Sequence, residues 1–224
     1  MKIEEIFEYI EKIGCLTFAT ISDGFVHPRI VHPYAHDEEG IYFMSMNIKP
    51  FARQLRQTKQ VSVCGMWPKS QILGVDENAV PEFPPGFTLR IIGHVREIFE
   101  EEVKLKAETN PQFKKTLFDL QKYPATCNFQ IYKGKGEIFD YDFEMKNRDY
   151  KLHRTRFAFG GDSYNRSGAI ITDECTECGE CHEVCTFKAI KKGSPYEVIS
   201  ERCDECGSCA LVCPVEAIKE PLTI

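Results

Sequence analysis

Two sets of cysteines with identical spacing occupy the last quarter of this 224-residue chain. CTECGECHEVC, from Cys175, and CDECGSCALVC, from Cys203, both separate their four cysteines by two, two and three residues. Each cysteine of the first set has a counterpart 28 residues later, so the segment is an internal repeat of one small unit. Two copies of such a unit predict a small domain with pseudo-twofold symmetry.

This spacing suits cubane [4Fe-4S] clusters, each of which needs four thiolates at its corners. Three closely spaced cysteines wrap one cluster, and the following turn carries the fourth to the neighbouring cluster. We therefore predict that Cys175, Cys178, Cys181 and Cys213 hold a first cluster and that Cys203, Cys206, Cys209 and Cys185 hold a second. The alternatives are structural zinc, which usually takes two separated C-x2-C pairs, and disulfides, which are rare where thiols are kept reduced.

Over about 55 residues the same segment resembles the two-cluster bacterial-type ferredoxin domain. Pro214 follows the last cysteine of the second set, as in that family, whereas Thr186 stands at the matching place in the first. This difference alters a turn without removing a ligand. The resemblance implies single-electron transfer without bond-making chemistry, and hence a redox partner protein as electron donor.

The net charge of the chain lies with the cysteines. Residues 170–224 carry 11 acidic and 5 basic side chains, which accounts for the whole net charge of −6. A neutral body with an acidic appendage lacks the basic footprint of nucleic-acid binding. MKIEEIFEYIEKIG at the start lacks the order of an export signal, and no later stretch has the length of an apolar membrane span. We expect a cytoplasmic protein that does not enter the membrane.

Strand patterns dominate the first part of the chain. Apolar residues recur at helical spacing over residues 2–13, and Gly14 then ends the predicted helix. Strands are predicted over residues 15–21, 25–34, 41–45, 60–66 and 88–98, with a final hairpin over 126–134 and 136–143. Short helices are predicted over residues 49–57, 99–107 and 111–123. Many antiparallel strands with few peripheral helices favour a mainly β barrel or sandwich.

Three parts follow from these patterns. A β-domain covers residues 1–145. Residues 146–169 are polar with little periodicity and are predicted to be a linker, in which Arg154 and Arg156 are expected to be solvated. Residues 170–224 form the small α+β cysteine domain.

The stretch GFVHPRIVHPYAHDEEGIYFMSMNIKPFARQLRQTKQVSVCGMW, residues 24–67, resembles the flavin-binding split-barrel family that includes pyridoxamine 5′-phosphate oxidase. The likeness lies in a Gly-x-x-x-Pro-Arg strand, an aromatic strand ending in a hydroxyl residue, and a lysine at a helix start. It implies an antiparallel split β-barrel over residues 1–145 that pairs as a homodimer with FMN at the subunit interface. By the same resemblance Arg29 and Lys49 hold the FMN phosphate, and Arg53 assists.

The chemistry of these residues suits that cofactor. A phosphate dianion needs fixed cations and hydrogen-bond donors, and a helix N-terminus supplies both charge and N–H groups. The proposed phosphate donors are Arg29, Ser45, Asn47 and Lys49, and backbone groups around Ile30, Val31, Met44 and Met46 are expected to line the isoalloxazine. The alternatives are a barrel without cofactor, in which these charges are solvated, and a barrel that holds heme or the deazaflavin F420.

The substrate side of the site departs from pyridoxamine oxidase. Where that family has Arg-x-Val-Leu-Leu-Lys, this chain reads Arg29-Ile-Val-His-Pro-Tyr34, so the substrate-side lysine is missing. His32 and His36 are weak candidates for protonating a reduced substrate, and a structural or surface role is favoured for both. Three further cysteines in strand-like runs are expected to be buried core thiols, Cys15, Cys64 and Cys127.

These observations predict an iron–sulfur flavoprotein oxidoreductase. Electrons would pass from two [4Fe-4S] clusters to FMN, which would reduce a small oxidised substrate in an anaerobic cytoplasm. An oxidase would have no use for the clusters, since oxygen takes its electrons. The alternatives are an electron carrier without a substrate of its own, and a redox module that binds heme or F420.

Overall fold

The computed structural model describes residues 1–68, 74–75, 77–79, 81–82, 86–141 and 152–224. The chain divides into two compact units. The first unit comprises Met1–Gly65, Leu89–Gly136 and Phe157–Ser163, and the second comprises Met66–Thr88, Glu137–Arg156 and Tyr164–Ile224. No helix in the described ranges is both long enough and apolar enough to cross a membrane.

Helices are few and short. They are α1 (Ile3–Ile13), α2 (Pro50–Thr58), α3 (Glu100–Thr109), α4 (Gln112–Lys122), α5 (Glu180–Val184) and α6 (Ser208–Leu211), with a 3-10 turn at Ser200–Arg202. The strands before the cysteine repeat are β1 (Leu16–Ser22), β2 (Phe25–Val31), β3 (Ala35–Asp37), β4 (Gly40–Met46), β5 (Gln60–Trp67), β6 (Gly74–Val75), β7 (Pro81–Glu82), β8 (Gly86–Ile98), β9 (Thr126–Tyr141) and β10 (His153–Phe159). Those within it are β11 (Ile170–Ile171), β12 (Ile190–Lys191), β13 (Glu197–Val198) and β14 (Ile218–Lys219).

Helix α1 follows its apolar periodicity. Ile3, Ile6, Phe7, Ile10 and Ile13 are all buried, because residues three and four apart share one face of a helix. Gly14 ends the helix at a φ of 77°, and its N–H donates to the Ile10 carbonyl at 2.8 Å. The prediction of this helix is confirmed.

One eight-stranded sheet runs in the order β2-β1-β5-β8-β9-β4-β3, with β10 beside β9. The β1–β2 hairpin pairs Leu16 with Val31 and Ser22 with Phe25, and its turn residues Asp23 and Gly24 both have positive φ. The pairings of β1 with β5, β3 with β4 and β4 with β9 are also antiparallel. The mainly β fold with peripheral helices is therefore confirmed.

Aromatic side chains fill the core of the first unit. Phe43 on β4 has its ring centroid 4.8 Å from that of Phe18 on β1 and 5.7 Å from that of Phe129 on β9. Phe51 on α2 also stacks on Phe43, with the ring centroids 5.9 Å apart. All four rings are buried, so helix α2 is anchored to the sheet by its apolar face.

The predicted final hairpin is wrong, because residues 126–141 form the single long strand β9. Gly134 and Gly136 lie where the predicted hairpin would turn, but both belong to a strand that packs closely on its neighbours. A Cβ on Gly136 would lie 2.3 Å from the Arg90 carbonyl oxygen, and one on Gly134 would lie 2.9 Å from that of Ile92. Glycine is needed at these two positions because a side chain would collide with the neighbouring backbone. A glycine pair of this kind can therefore mark close packing within a strand as well as a turn.

Residues 146–151 of the predicted linker lie outside the described residues, and part of the remainder is a strand. His153–Phe159 forms β10, which pairs with β9 and buries Arg154, Arg156, Phe157 and Phe159. Because two of its buried residues are Arg154 and Arg156, the sequence here lacks the alternation of apolar and polar residues that usually predicts a strand.

The cysteine repeat folds in the second unit with its internal symmetry preserved. Gly179 precedes α5 at a φ of 90°, and Gly207, 28 residues later, precedes α6 at 80°. Glu177 and Glu205 match in the same way, at 60° and 61°. Short strands pair as β11 with β14 and β12 with β13. The small α+β domain predicted for this segment is confirmed.

Candidate cofactor sites

Four cysteines line one cavity of the second unit. They are Cys175, Cys178, Cys181 and Cys213, together with the apolar side chains of Ile171, Tyr196, Val215, Ala217 and Ile218. Cys213 belongs to the second half of the repeat, and it reaches the first set because the chain turns back after α6. The structure thus brings together the residues predicted for the first cluster, and their ligand role stays a prediction.

The other four cysteines line a second cavity in the same unit. They are Cys185, Cys203, Cys206 and Cys209, with Phe187, Ile190, Val198 and Ile218 among the apolar side chains around them. In the part of the chain that the structure describes, no three Cys, His, Asp or Glu side chains are placed to hold a single metal ion.

Backbone N–H groups point at the sulfurs in a repeated pattern. Glu177 N lies 3.4 Å from Cys175 Sγ and Glu205 N lies 3.4 Å from Cys203 Sγ. Ala189 N lies 3.3 Å from Cys185 Sγ, and Ala217 N lies 3.3 Å from Cys213 Sγ. Such donors stabilise thiolate charge, and hydrogen bonds to sulfur help set the potential of an iron–sulfur cluster. The donor sets therefore fit thiolate-held clusters.

Burial disfavours the thiolates when no cation balances them. Desolvation raises the pKa of Cys209 to about 11, and it also raises the pKa of Cys181 and Cys203. A metal centre needs the deprotonated ligand, so an iron–sulfur cluster held by these cysteines would release protons on binding.

A buried ion network lies beside the second set, where sequence reasoning expected solvated charge. Counted as whole residues, main chain included, Arg154 and Arg156 are each 8% exposed and Glu137 is 3% exposed. The two guanidinium groups enclose the Glu137 carboxylate. Arg154 Nη1 donates to Glu137 Oε1 at 2.5 Å, and Arg156 Nε donates to Oε2 at 2.9 Å. The expectation that these two arginines are solvated is therefore wrong. Burying an arginine without a counter-charge would cost too much free energy, and the Glu137 carboxylate supplies that counter-charge.

Arg29 is half-buried on β2, in the first unit. Its Nη1 donates to Thr20 Oγ1 at 2.8 Å and to the His27 carbonyl at 2.6 Å, and its Nη2 donates to Gln54 Oε1. The guanidinium also lies over the Phe51 ring, 4.6 Å from its centroid. Since arginine has five N–H donors, the Nε–H and one Nη2–H have no partner within the described ranges.

Gln54 and Thr20 were not identified from the sequence. Both are buried, and Thr20 Oγ1 donates to Gln54 Oε1 at 2.8 Å. Gln54 lies among Phe51, Ala52 and Leu55 on the inner face of α2. A polar residue on the apolar face of an amphipathic helix was the one available signal.

The remaining predicted phosphate ligands lie around the turn from β4 into α2. Ser45 is buried, and its Oγ has no hydrogen-bond partner among the described residues. Lys49 is exposed at the N-cap of α2, and Arg53 is exposed within that helix. The Asn47 side chain is hydrogen-bonded within the protein, since Arg56 Nη2 donates to Asn47 Oδ1 at 2.7 Å. Arg56 in turn pairs with Glu97 at 2.5 Å, which sequence reasoning also missed.

The predicted isoalloxazine lining is mixed in exposure. Met44 and Met46 are half-buried on β4, and Val31 is half-buried at the end of β2. Ile30 is 70% exposed on β2, which is an edge strand of the sheet. Ile48, beside Lys49, is 90% exposed.

The candidate histidines occupy different surroundings. His32 is exposed just beyond β2, whereas His36 is on β3 with its ring centroid 4.4 Å from that of Phe7. His36 also accepts at its carbonyl from Asn110 Nδ2 at 2.8 Å. These contacts are structural ones, and a catalytic role for either histidine stays a prediction.

The prediction of buried core thiols is wrong for two of the three single cysteines. Cys127 is buried as expected, but Cys15 and Cys64 are exposed. Cys15 precedes β1, and Cys64 occupies an outward position on β5, whose buried residues are Val61 and Val63. The alternation of the strand places Cys64 on the opposite face.

Comparison with known families matches two parts of the chain. The family described as pyridoxamine 5′-phosphate oxidase matches residues 3–135. The 4Fe-4S binding domain matches residues 169–191 and again residues 196–219. No curated protein matches the chain significantly.

Several solved structures are similar in fold. A NimC/NimA family protein from Clostridium acetobutylicum is 17% identical with a TM-score of 0.47, over 70% of this chain and 92% of its own. PhzG from Burkholderia lata, solved with tetrahydrophenazine-1-carboxylic acid, is 15% identical with a TM-score of 0.47, over 71% and 86%. HutZ, the heme storage protein from Vibrio cholerae, is 19% identical with a TM-score of 0.41, over 59% and 90%.

Proposed function

The chain belongs to the pyridoxamine 5′-phosphate oxidase family and carries a 4Fe-4S binding domain near its C-terminal end, and from this we propose that it is an FMN-dependent reductase fed by two [4Fe-4S] clusters. When bound, the clusters supply single electrons, and the flavin supplies an electron pair or hydride for a small oxidised substrate.

The observation that carries the proposal is the grouping of the eight cysteines. Each cavity is lined by four of them, and two backbone N–H groups point at sulfurs in each set. Four thiolates with N–H donors form a ligand set for a cubane cluster. We assign the first cluster to Cys175, Cys178, Cys181 and Cys213, and the second to Cys203, Cys206, Cys209 and Cys185.

Arg29 supports FMN as the partner of the clusters. Its guanidinium is fixed by Thr20, Gln54 and the His27 carbonyl, and it retains two N–H groups for an anion. Two parallel N–H donors match a phosphate group, and a fixed fork loses little entropy on binding it. Lys49, Arg53 and the N-terminal turn of α2 would add charge, and Ser45 Oγ would add a donor.

The proposed active form is a homodimer. Phe25, Val26 and Ile30 are 72%, 65% and 70% exposed on edge strand β2, and a second copy would cover them. We propose an electron-donor protein with a basic docking face, since the cysteine segment is acidic, and a cytoplasmic location. Pyridoxamine phosphate is an unsuitable substrate because Tyr34 stands where the family has its substrate-side lysine.

Anaerobic purification with iron, sulfide and flavin analysis tests the cofactor content. The proposal expects about eight irons and one FMN per chain, as two cubanes and one flavin require. A turnover screen with nitro compounds, quinones and free flavins then tests the activity. Full cofactor content without turnover on any small acceptor would instead favour a protein-to-protein electron carrier, and iron without flavin would overturn the FMN assignment.

A further inference from the structure

The buried ion network of the second unit reaches the second cysteine set directly. Arg154 Nε donates to the Cys203 carbonyl at 3.2 Å, and Arg154 Nη2 donates to the Asp204 carbonyl at 3.4 Å. Cys203 is one of the four residues of that set, so a guanidinium lies against the backbone of a cluster-ligand loop. Arg154 therefore contacts the loop while its charge is shielded from water.

One of these contacts continues to the sulfur. The peptide group that joins Asp204 to Glu205 accepts from Arg154 at its carbonyl and donates from its N–H to Cys203 Sγ, at 3.4 Å. Hydrogen bonds in such a chain polarise one another, so a cation on the carbonyl strengthens the N–H donor. Arg154 and the Cys203 sulfur are thus connected by two hydrogen bonds through one peptide group.

Glu205 fixes the far side of the same loop. Its Oε1 accepts from Arg156 Nη2 at 3.0 Å and from the Gly168 N–H at 2.9 Å, and its Oε2 lies 3.4 Å from Arg154 Nη1. Arg156 is held in turn by the carbonyls of Asn165, Arg166 and Leu222. The loop position and the guanidinium position thus depend on each other.

The first cysteine set provides an internal comparison. Glu177 is the counterpart of Glu205, and its N–H makes the same 3.4 Å contact with a sulfur, that of Cys175. Glu177 is nevertheless exposed and accepts from Ser194 Oγ. Across the described residues, no cationic side chain donates to the carbonyl of Thr176, the counterpart of Asp204. The two halves of the repeat are alike in backbone and different in charge.

We propose that Arg154 is a positioning residue that makes the second cluster the more easily reduced of the two. Glu137 and Glu205 balance the charges of Arg154 and Arg156, but Arg154 is the cation that donates to the carbonyls of the cysteine loop. Reduction adds negative charge to a cluster, and donors fixed on this side of the loop and shielded from solvent stabilise that added charge. When the chain holds a single electron, that electron would then reside mainly on the second cluster, because the first cluster would have the lower reduction potential. The inference rests on the proposed function, because it requires both cysteine sets to hold [4Fe-4S] clusters.

The test is a redox titration of the full chain followed by EPR. Arg154→Met is expected to shift one cluster potential to a more negative value and leave the other unchanged, whereas Arg154→Lys, which keeps the charge, shifts it less. Cys206→Ser assigns the signals, because a serine ligand alters the EPR spectrum of the second cluster. Glu205→Gln removes a negative charge from the same loop and should move that potential upward, with Glu177→Gln as the matched control.

Opposite shifts from Arg154→Met and Glu205→Gln on one cluster would support an electrostatic role, since a merely structural role would not reverse sign. Equal shifts of both clusters, or no shift in either variant, would overturn the inference. If Arg154→Met fails to fold, Arg154→Lys and Glu205→Gln still decide it. A chain that takes up no iron would overturn the proposed function instead, and clusters that titrate without flavin reduction would leave this inference standing.

Discussion

Glu137 and Arg156 form an ion pair closed to solvent. Glu137 Oε2 accepts from Arg156 Nε at 2.9 Å, and each side chain is only 3% exposed. A buried pair of this kind contributes little net stability compared with apolar packing, but the removal of one partner leaves the other charge without compensation.

We therefore expect Glu137→Gln to lower the free energy of unfolding by about 3–5 kcal/mol. Urea denaturation measures the change. Glu102→Gln is the control, because Glu102 pairs with Arg96 at the surface, where side-chain exposures are 30% and 42%. That control should cost less than about 1 kcal/mol. A similar small cost for both variants would mean that the Glu137 network is not closed to water.

Replacing Arg29 by methionine should weaken FMN binding by about 10- to 100-fold. The reason is the loss of a charge-assisted hydrogen bond to phosphate, which contributes about 1.5–3 kcal/mol. Fluorescence titration of the flavin measures the affinity, and Arg96→Met, which removes a surface cation, serves as control. Unchanged affinity in Arg29→Met would remove Arg29 from the phosphate site.

Gln54→Leu should disturb the same site indirectly. The change leaves Arg29 and the buried Thr20 hydroxyl without their shared acceptor, so we expect a loss of about 1–3 kcal/mol in unfolding free energy and weaker flavin binding. Gln57→Leu, at an exposed position of the same helix, is the matched control. Iron content should be the same in both variants. Equal flavin affinities would show that Arg29 does not need Gln54.

Tyr42 should make the fold sensitive to alkaline pH. Burial raises the pKa of Tyr42, and the hydrogen bond that its hydroxyl donates to Asp37 Oδ1 at 2.7 Å raises the pKa further. A folded-state pKa above the unfolded value of about 10 gives stability that is fully present below pH 10 and is lost as the pH rises further.

Unfolding measured from neutral pH to above pH 10 checks this. Tyr42→Phe should be less stable at neutral pH, and its stability should decline less steeply in the alkaline range than that of the native chain. Tyr123→Phe, at a position that is 47% exposed, should retain the native slope. An unchanged slope in Tyr42→Phe would contradict the assignment.

Local patterns predicted the elements whose signals are local. Helix α1 follows from five apolar residues at helical spacing, and the strands predicted over residues 15–21 and 25–34 correspond to the paired strands β1 and β2. The two groups of four cysteines could be predicted from the spacing of the cysteines and from the turn that follows the third cysteine of each set. These features depend on neighbours along the chain, which a sequence displays directly.

The missed features depend on partners far away in the chain. Arg154 and Arg156 read as linker charge because their counter-ion Glu137 precedes them by at least 17 residues, on another strand. The prediction of a hairpin around Gly134 and Gly136 is wrong because the backbones that approach these glycines cannot be seen in the sequence. Gln54 is informative only once the inner face of α2 is known.

The most direct test of electron flow from clusters to flavin is rapid mixing of the anaerobic, fully loaded chain with a one-electron donor. The visible spectrum follows the clusters and the flavin in the same sample. We predict that the clusters are reduced first and that the flavin follows at a rate independent of protein concentration, as transfer within one molecule requires. Clusters that become reduced while the flavin stays oxidised would contradict the account.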